Sequence, residues 1–205
     1  MSIAKNNRER IELGQFLQGK SWNIFGTLKF VNGRTIGRVT ADKLLRSYWN
    51  RVDLTFFGKA AERQNVRLPR WCFAHEGSDS ENFHIHFVAL APVADIAFTC
   101  AVLNAVWVQH HRQTATLTKN WIMPVLDRSD VMSYLKREYW RMGSDTLLPH
   151  ISCDESNSVD MAKYEHERQA DRIRRAASPL WLRQATQALA LQQAKYQANH
   201  SSVVS

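Results

Sequence analysis

The segment Phe83-His84-Ile85-His86-Phe87 carries two histidines two residues apart in an otherwise apolar run. In an extended strand alternate residues point to opposite faces. Phe83, Ile85 and Phe87 then share one face, and His84 and His86 share the other. Two imidazoles about 7 Å apart along one strand can chelate a single divalent ion. A lone histidine is more often structural; two on one face are harder to dismiss. Glu76 lies upstream, after the β-rich run Arg67–His75 and before a short polar turn. If that run pairs antiparallel with the histidine strand, Glu76 comes close to His84. Two histidines and a carboxylate with open positions suit Mg²⁺ or Mn²⁺ acting as a Lewis acid on a phosphate. His75 is the alternative third ligand. Neighbours in a regular strand face opposite sides, so only one of the two points at the ion. Glu76 is preferred, because a carboxylate suits a hard ion better.

A tyrosine is the second group that could do chemistry. In the stretch SDVMSYLKREYWRM, residues 129–142, Val131, Met132, Leu135, Tyr139 and Met142 form one apolar stripe at helical spacing. Tyr134 lies off that stripe. Its helical neighbours are Asp130, Arg137 and Arg141. Cations beside a phenol ease formation of the phenolate and can hold a phosphate in its reach. A surface tyrosine among solvated arginines is the plainer reading of the same pattern. Lys136, two residues on, points well away from Tyr134.

These groups need elements to position them. Residues 7–18 can form a short helix. Ser21–Phe30 alternates and reads as a strand, with a glycine-bearing turn over Val31–Gly37. Ala41–Gln64 is apolar at helical spacing and reads as one long helix. Arg67–His75 and Phe83–Leu90 read as strands, and Asp95–His111 as a helix with an acidic start. Trp121–Leu126 is a fourth strand, and Ser129 begins the tyrosine helix. The order β-α-β-β-α-β followed by a helix implies an α+β, ferredoxin-like antiparallel sheet. One face of such a sheet is covered by helices, and the other is expected to be open. Residues 143–160 read as a loop, and 161–205 as a C-terminal helical appendage broken at Ser178-Pro179. The residues that could do chemistry thus fall in one domain over residues 1–142.

The chain has 205 residues, enough for one domain with an appendage, and a formal net charge of +8. Residues 1–70 hold 14 Lys+Arg and 5 Asp+Glu, so the whole basic excess sits in the first third. A one-signed field of that kind favours a polyanion, most commonly nucleic acid. Three widely spaced cysteines form neither a disulfide framework nor a zinc knuckle. The first 25 residues are polar, without the apolar core of a signal peptide, and no run is long enough to span a membrane. A cytoplasmic protein with no membrane partner is expected.

Together these pieces resemble the HUH endonuclease superfamily, in particular the nicking domain of rolling-circle replication initiators. The resemblance covers residues 20–142. Gly26-Thr27-Leu28-Lys29-Phe30 is similar to the family's first motif, a hydrophobic-Thr-Leu-Thr-Phe strand. His84-Ile85-His86 with Glu76 is similar to the second. Tyr134 on its helix is similar to the third, although the family often has lysine at i+3 and here that residue is Arg137. The assisting cation is therefore Arg137 or Lys136. Tyr139 is five residues from Tyr134, about 140° away around a helix, so a single nucleophile is favoured. The resemblance implies a single-strand DNA endonuclease and ligase that uses Mg²⁺ or Mn²⁺ and a 5′-phosphotyrosine intermediate. Its partners would be single-stranded or hairpin DNA at a plasmid or phage replication origin, and a host helicase. DNA contacts are expected at Lys29, Arg34, Arg38, Arg67, Arg70 and Arg141.

Three rivals stand beside this reading. One is a non-catalytic nucleic-acid-binding module on the same fold, which would not need the histidine pair. Another is a single-tyrosine transposase with the same chemistry. The third is an NTPase, since Gly14 to Ser21 matches GxxxxGK[ST] letter for letter. Its context argues against it, because a charged segment precedes the match and a β-rich one follows.

Overall fold

The computed structural model describes residues 3–75, 82–127, 129, 131, 133, 135, 146–154 and 179–201. Its elements are α1 (Ile3–Gln18), β1 (Ile24–Lys29), α2 (Arg38–Phe57), α3 (Lys59–Arg63), β2 (Arg70–His75), β3 (His84–Ala89), α4 (Ile96–His110), β4 (Trp121–Pro124) and α5 (Pro179–Ser201). The four strands form one sheet in the order β2-β3-β1-β4, with every neighbouring pair antiparallel. This is the ferredoxin-like arrangement expected from the order of elements. No described helix is long and apolar enough to cross a membrane.

Strand alternation divides the sheet's side chains cleanly. Ile24, Leu28, Cys72, Ala74, Ile85 and Phe87 face α2 and α4 and join Leu45, Trp49, Val52 and Leu103 in the main core. Gly26 sits on that face because the Phe87 ring lies across it. A Cβ at Gly26 would stand 2.2 Å from Phe87 Cε1. The long helix expected over 41–64 is divided at Gly58, whose φ of 53° is a left-handed value that a side chain disfavours. Asp95 caps α4 as its sequence implied, accepting a hydrogen bond from Phe98 N at 2.9 Å.

Residues Thr99 to Trp107 of α4 are buried without interruption. A helix apolar all round has to be covered all round, and α5 supplies the missing cover. Ala185, Trp181 and Leu182 pack against Ala101 and Ala105, and Leu189 enters the main core. The C-terminal helix is thus a packing partner of α4.

Two features depart from expectation. The second face of the sheet is not fully open. Leu13, Phe16 and Leu17 of α1 and residues Val131 and Leu135 pack with Trp71, Phe73 and Val88 across part of it. At the end that bears the histidines, a groove opens on this face beside His84 and His86. The segment 146–154, expected as plain loop, also runs along the outer edge of β2. Leu148 N donates to Cys72 O at 3.0 Å, and Arg70 and Cys153 exchange backbone hydrogen bonds of 3.0 and 2.9 Å. The exposed edge of the sheet is thereby paired.

Candidate metal centre

Register places the histidines. In the β2–β3 pair His75 lies opposite His84, and Phe73 opposite His86. In the β1–β3 pair Lys29 lies opposite His84, and Thr27 opposite His86. Residues directly opposite in an antiparallel pair share a face. His75, His84 and Lys29 therefore form one row across the sheet, and Phe73, His86 and Thr27 the next.

His75, His84 and His86 each offer a nitrogen, and these atoms lie within 4.8 Å of one another. His84 Nε2 and His86 Nε2 are 3.0 Å apart. Two nitrogens bound at right angles to one ion, each at about 2.1 Å, stand about 3.0 Å apart. The histidine pair thus has the spacing of adjacent ligands. The His75 ring stacks on His84 with centroids 4.3 Å apart, which brings it to the same point. His75 and His86 are buried, and His84 is half-buried at the mouth.

The outer nitrogens are held. His84 Nδ1 donates to the Asn82 carbonyl oxygen at 2.7 Å, because a carbonyl can only accept. In the neutral ring Nε2 then carries a lone pair. His86 Nδ1 is 3.0 Å from Thr27 Oγ1. Without an ion, His86 Nε2–H donates to His84 Nε2, and the Thr27 hydroxyl donates to His86 Nδ1. With an ion the Thr27 hydroxyl can accept instead, so that both Nε2 lone pairs turn inward. Polar partners behind metal-ligating histidines fix their tautomer and orientation in this way. Burial, together with the charges of His84, His75 and Lys29, pushes the His86 pKa down to about 2, which keeps its ring neutral and able to ligate.

A groove of about 730 Å³ opens beside the pair, lined by Thr27, Lys29, His84, His86, Lys119 and Trp121 among others. Lys29 and Lys119 are exposed and Trp121 is half-exposed. The groove thus combines imidazole nitrogens, ammonium groups and an indole face. Its wall is braced by Asn120, whose Oδ1 accepts from Lys29 N at 3.0 Å and whose Nδ2 donates to Ala115 O at 3.2 Å.

Of the residues proposed from sequence, His84, His86 and Lys29 meet here. Arg34 joins them through Asn82, donating from Nε to Asn82 Oδ1 at 3.2 Å. Gly33 permits that approach, since a Cβ on it would lie 2.7 Å from Asn82 Cβ. Arg38 lies elsewhere, at the exposed start of α2. Arg67 and Arg70 also lie away from the histidines.

Arg70, expected to contact DNA, is held inside the fold as a brace. It is 5% exposed and pairs with the fully buried Asp53, through bonds of 2.8 and 3.1 Å. It also donates to the carbonyls of Ile151 and Leu68. Glu76, Tyr134, Lys136, Arg137 and Arg141 lie outside the described residues.

His75, held in second place as a ligand by the sequence reading, is the third nitrogen of the cluster. Thr27 was legible only as part of a motif; its hydroxyl supports His86. Asn82 carried no sequence signal of its own, because its role depends on two chain segments meeting. The GxxxxGK[ST] string is disposed of as well. Gly14 to Gln18 form the last turn of α1, so the string closes a helix and does not form a phosphate-cradling loop that opens one.

Comparison with protein-family models, with curated proteins and with solved structures gives no match.

Proposed function

We propose that this protein is a metal-dependent single-strand DNA nickase and strand-transfer enzyme of the HUH type, which initiates rolling-circle replication in the cytoplasm. The observation that carries the reading is the His75–His84–His86 cluster at the head of a lysine-bearing groove. A divalent ion bound there would polarise the scissile phosphate and offset its charge. Mg²⁺ and Mn²⁺ are the ions proposed. Mn²⁺ suits a set of imidazoles better, since Mg²⁺ strongly favours oxygen donors.

The remaining work falls to the chain itself. Thr27 and Asn82 hold the imidazoles in place. Lys29 and Lys119 attract the phosphodiester backbone, and Trp121 offers a face on which a base can stack. Tyr134 is the proposed nucleophile. Its phenolic oxygen bonds to phosphorus as the bond from phosphorus to the 3′-oxygen breaks. The phenol's proton is lost, and the departing 3′-oxygen gains one. The 5′-phosphate stays on the tyrosine and the free 3′-hydroxyl can prime synthesis. The phosphotyrosine conserves the bond energy, so reversal rejoins strands without ATP. Arg137 or Lys136 would favour the phenolate.

The test is a nicking assay on an end-labelled single-stranded oligonucleotide that carries the replicon's own intergenic sequence. Cleavage that requires Mn²⁺ and is lost in His84→Ala supports the reading. Tight binding without cleavage at any metal concentration favours the non-catalytic module instead.

A further inference from the structure

A second cavity, of about 490 Å³, lies at the opposite end of β2 from His75 and is lined by residues of α2, the segment before β2, and the strap along its edge. Arg70 and His75 are five residues apart on β2, about 17 Å in an extended strand, and point to opposite faces. The cavity is thus remote from the metal centre.

Its walls carry cations and donors. Arg46, Arg67, Arg70 and His150 line it, with Asn50 and Asn65 beside them, and no carboxylate is among its described lining residues. The balancing carboxylates stand behind. Asp53 pairs with Arg70 and with Arg67, and Asp42 with Arg46 and with His150. Three guanidiniums against two carboxylates leave a surplus positive charge.

The donors are also oriented. Arg67 donates from Nε to Asn65 Oδ1 at 2.9 Å, and from Nη1 to Asn50 Oδ1 at 3.3 Å and Asp53 Oδ2 at 3.2 Å. Both asparagine oxygens are committed to Arg67, so each amide turns its N–H groups to other partners. A cavity with a cationic wall, fixed guanidiniums and amide donors suits an oxyanion of phosphate size.

We infer that this cavity holds a backbone phosphate of the bound nucleic acid, at a point flanking the strand that reaches the histidines. The inference rests on the proposed function for the identity of the polyanion. A strand held at the histidines must pass round the β2 edge to reach this cavity. The phosphate it takes is therefore not the scissile one.

The test measures the affinity of the full chain for an origin oligonucleotide across a salt series, with EDTA present so that no strand is cut. Arg46→Gln is the principal variant, because Arg46 is exposed and its loss leaves the Asp53 pairs intact; Arg67→Gln is the second. Each is expected to weaken binding about fivefold, alike for all sequences, and to lower the slope of log affinity against log salt by about one. Inorganic phosphate is titrated in parallel, reading the side-chain amide signals of Asn50 and Asn65. Unchanged slopes in both variants, with wild-type binding intact, overturn this inference alone. Phosphate-induced shifts with unchanged slopes also overturn it, and identify a free-anion site. A wild-type chain without salt-dependent binding overturns the functional reading and this inference with it.

Discussion

Thr27 Oγ1 lies 3.0 Å from His86 Nδ1, across the β1–β3 pair, and the other nitrogen of that ring lies 3.0 Å from His84 Nε2. The hydroxyl therefore controls how His86 presents its ligating atom. Thr27→Val keeps the shape and removes that partner. Loss of such outer partners typically costs about 10- to 100-fold in metal affinity. We expect a loss of that size in Mn²⁺ binding by calorimetry, with Thr27→Ser restoring most of it. Unchanged affinity in Thr27→Val would show that the hydroxyl has no hold on the ring.

The identity of the third ligand is open to direct measurement. His75 stacks on His84 at a centroid distance of 4.3 Å and faces the same side of the sheet. His75→Ala is expected to weaken Mn²⁺ binding by at least about tenfold, no less than loss of an outer partner. Glu76→Gln is expected to have the smaller effect. The reverse ranking would return the carboxylate to first place.

Acid should destabilise the metal-free protein through His86. Its pKa is pushed down to about 2 by burial and by the charges of His84, His75 and Lys29, against about 6.5 in an unfolded chain. Below about pH 6.5 the unfolded chain takes up a proton that the native ring refuses. The native state is then favoured above that pH and loses ground as pH falls toward 2. The slope from this one group is up to about 1.4 kcal/mol per pH unit. Urea unfolding in EDTA at pH 7, 6 and 5 should show it, and His86→Gln should flatten the profile. Equal pH dependence in the two proteins would contradict this assignment.

Arg70 and Asp53 predict a different kind of loss. Arg70 places four hydrogen bonds on Asp53, Ile151 and Leu68, and its guanidinium carbon lies 4.6 Å from the Trp49 ring centroid. Removing one partner of a buried pair typically costs about 3–5 kcal/mol, because the other charge stays buried. Arg70→Met should lower unfolding free energy by that amount, read from the urea midpoint. Arg70→Met with Asp53→Leu should recover part of it. A double variant no better than the single would place the loss in packing against Trp49 and not in the stranded carboxylate.

Much of the site was legible in the chain because strand period is a strict rule. Alternation alone placed His84 and His86 together and Ile85 and Phe87 against the helices, and the order of elements led to the sheet order. What escaped depends on contacts between distant segments. Asp53 and Arg70 are ordinary charges until α2 and β2 meet. The partial cover of the histidine face by α1 could not be read, because periodicity marks an apolar stripe and not its docking place. The strap 146–154 has a loop-like sequence interrupted by Pro149, without strand alternation, yet its backbone and the Ser152 hydroxyl both bond to β2. His75 was ranked second because hardness favours a carboxylate, whereas register sets His75 directly across from His84.

The central claim is that the histidine cluster serves a tyrosine that becomes joined to DNA. The most direct measurement is mass spectrometry of the protein after incubation with Mn²⁺ and the origin oligonucleotide, under denaturing conditions. The account predicts an adduct carrying the 5′-phosphate fragment on the peptide with Tyr134, absent in EDTA, in Tyr134→Phe and in His84→Ala. An adduct that persists in Tyr134→Phe, or no adduct on a bound origin strand, would contradict it.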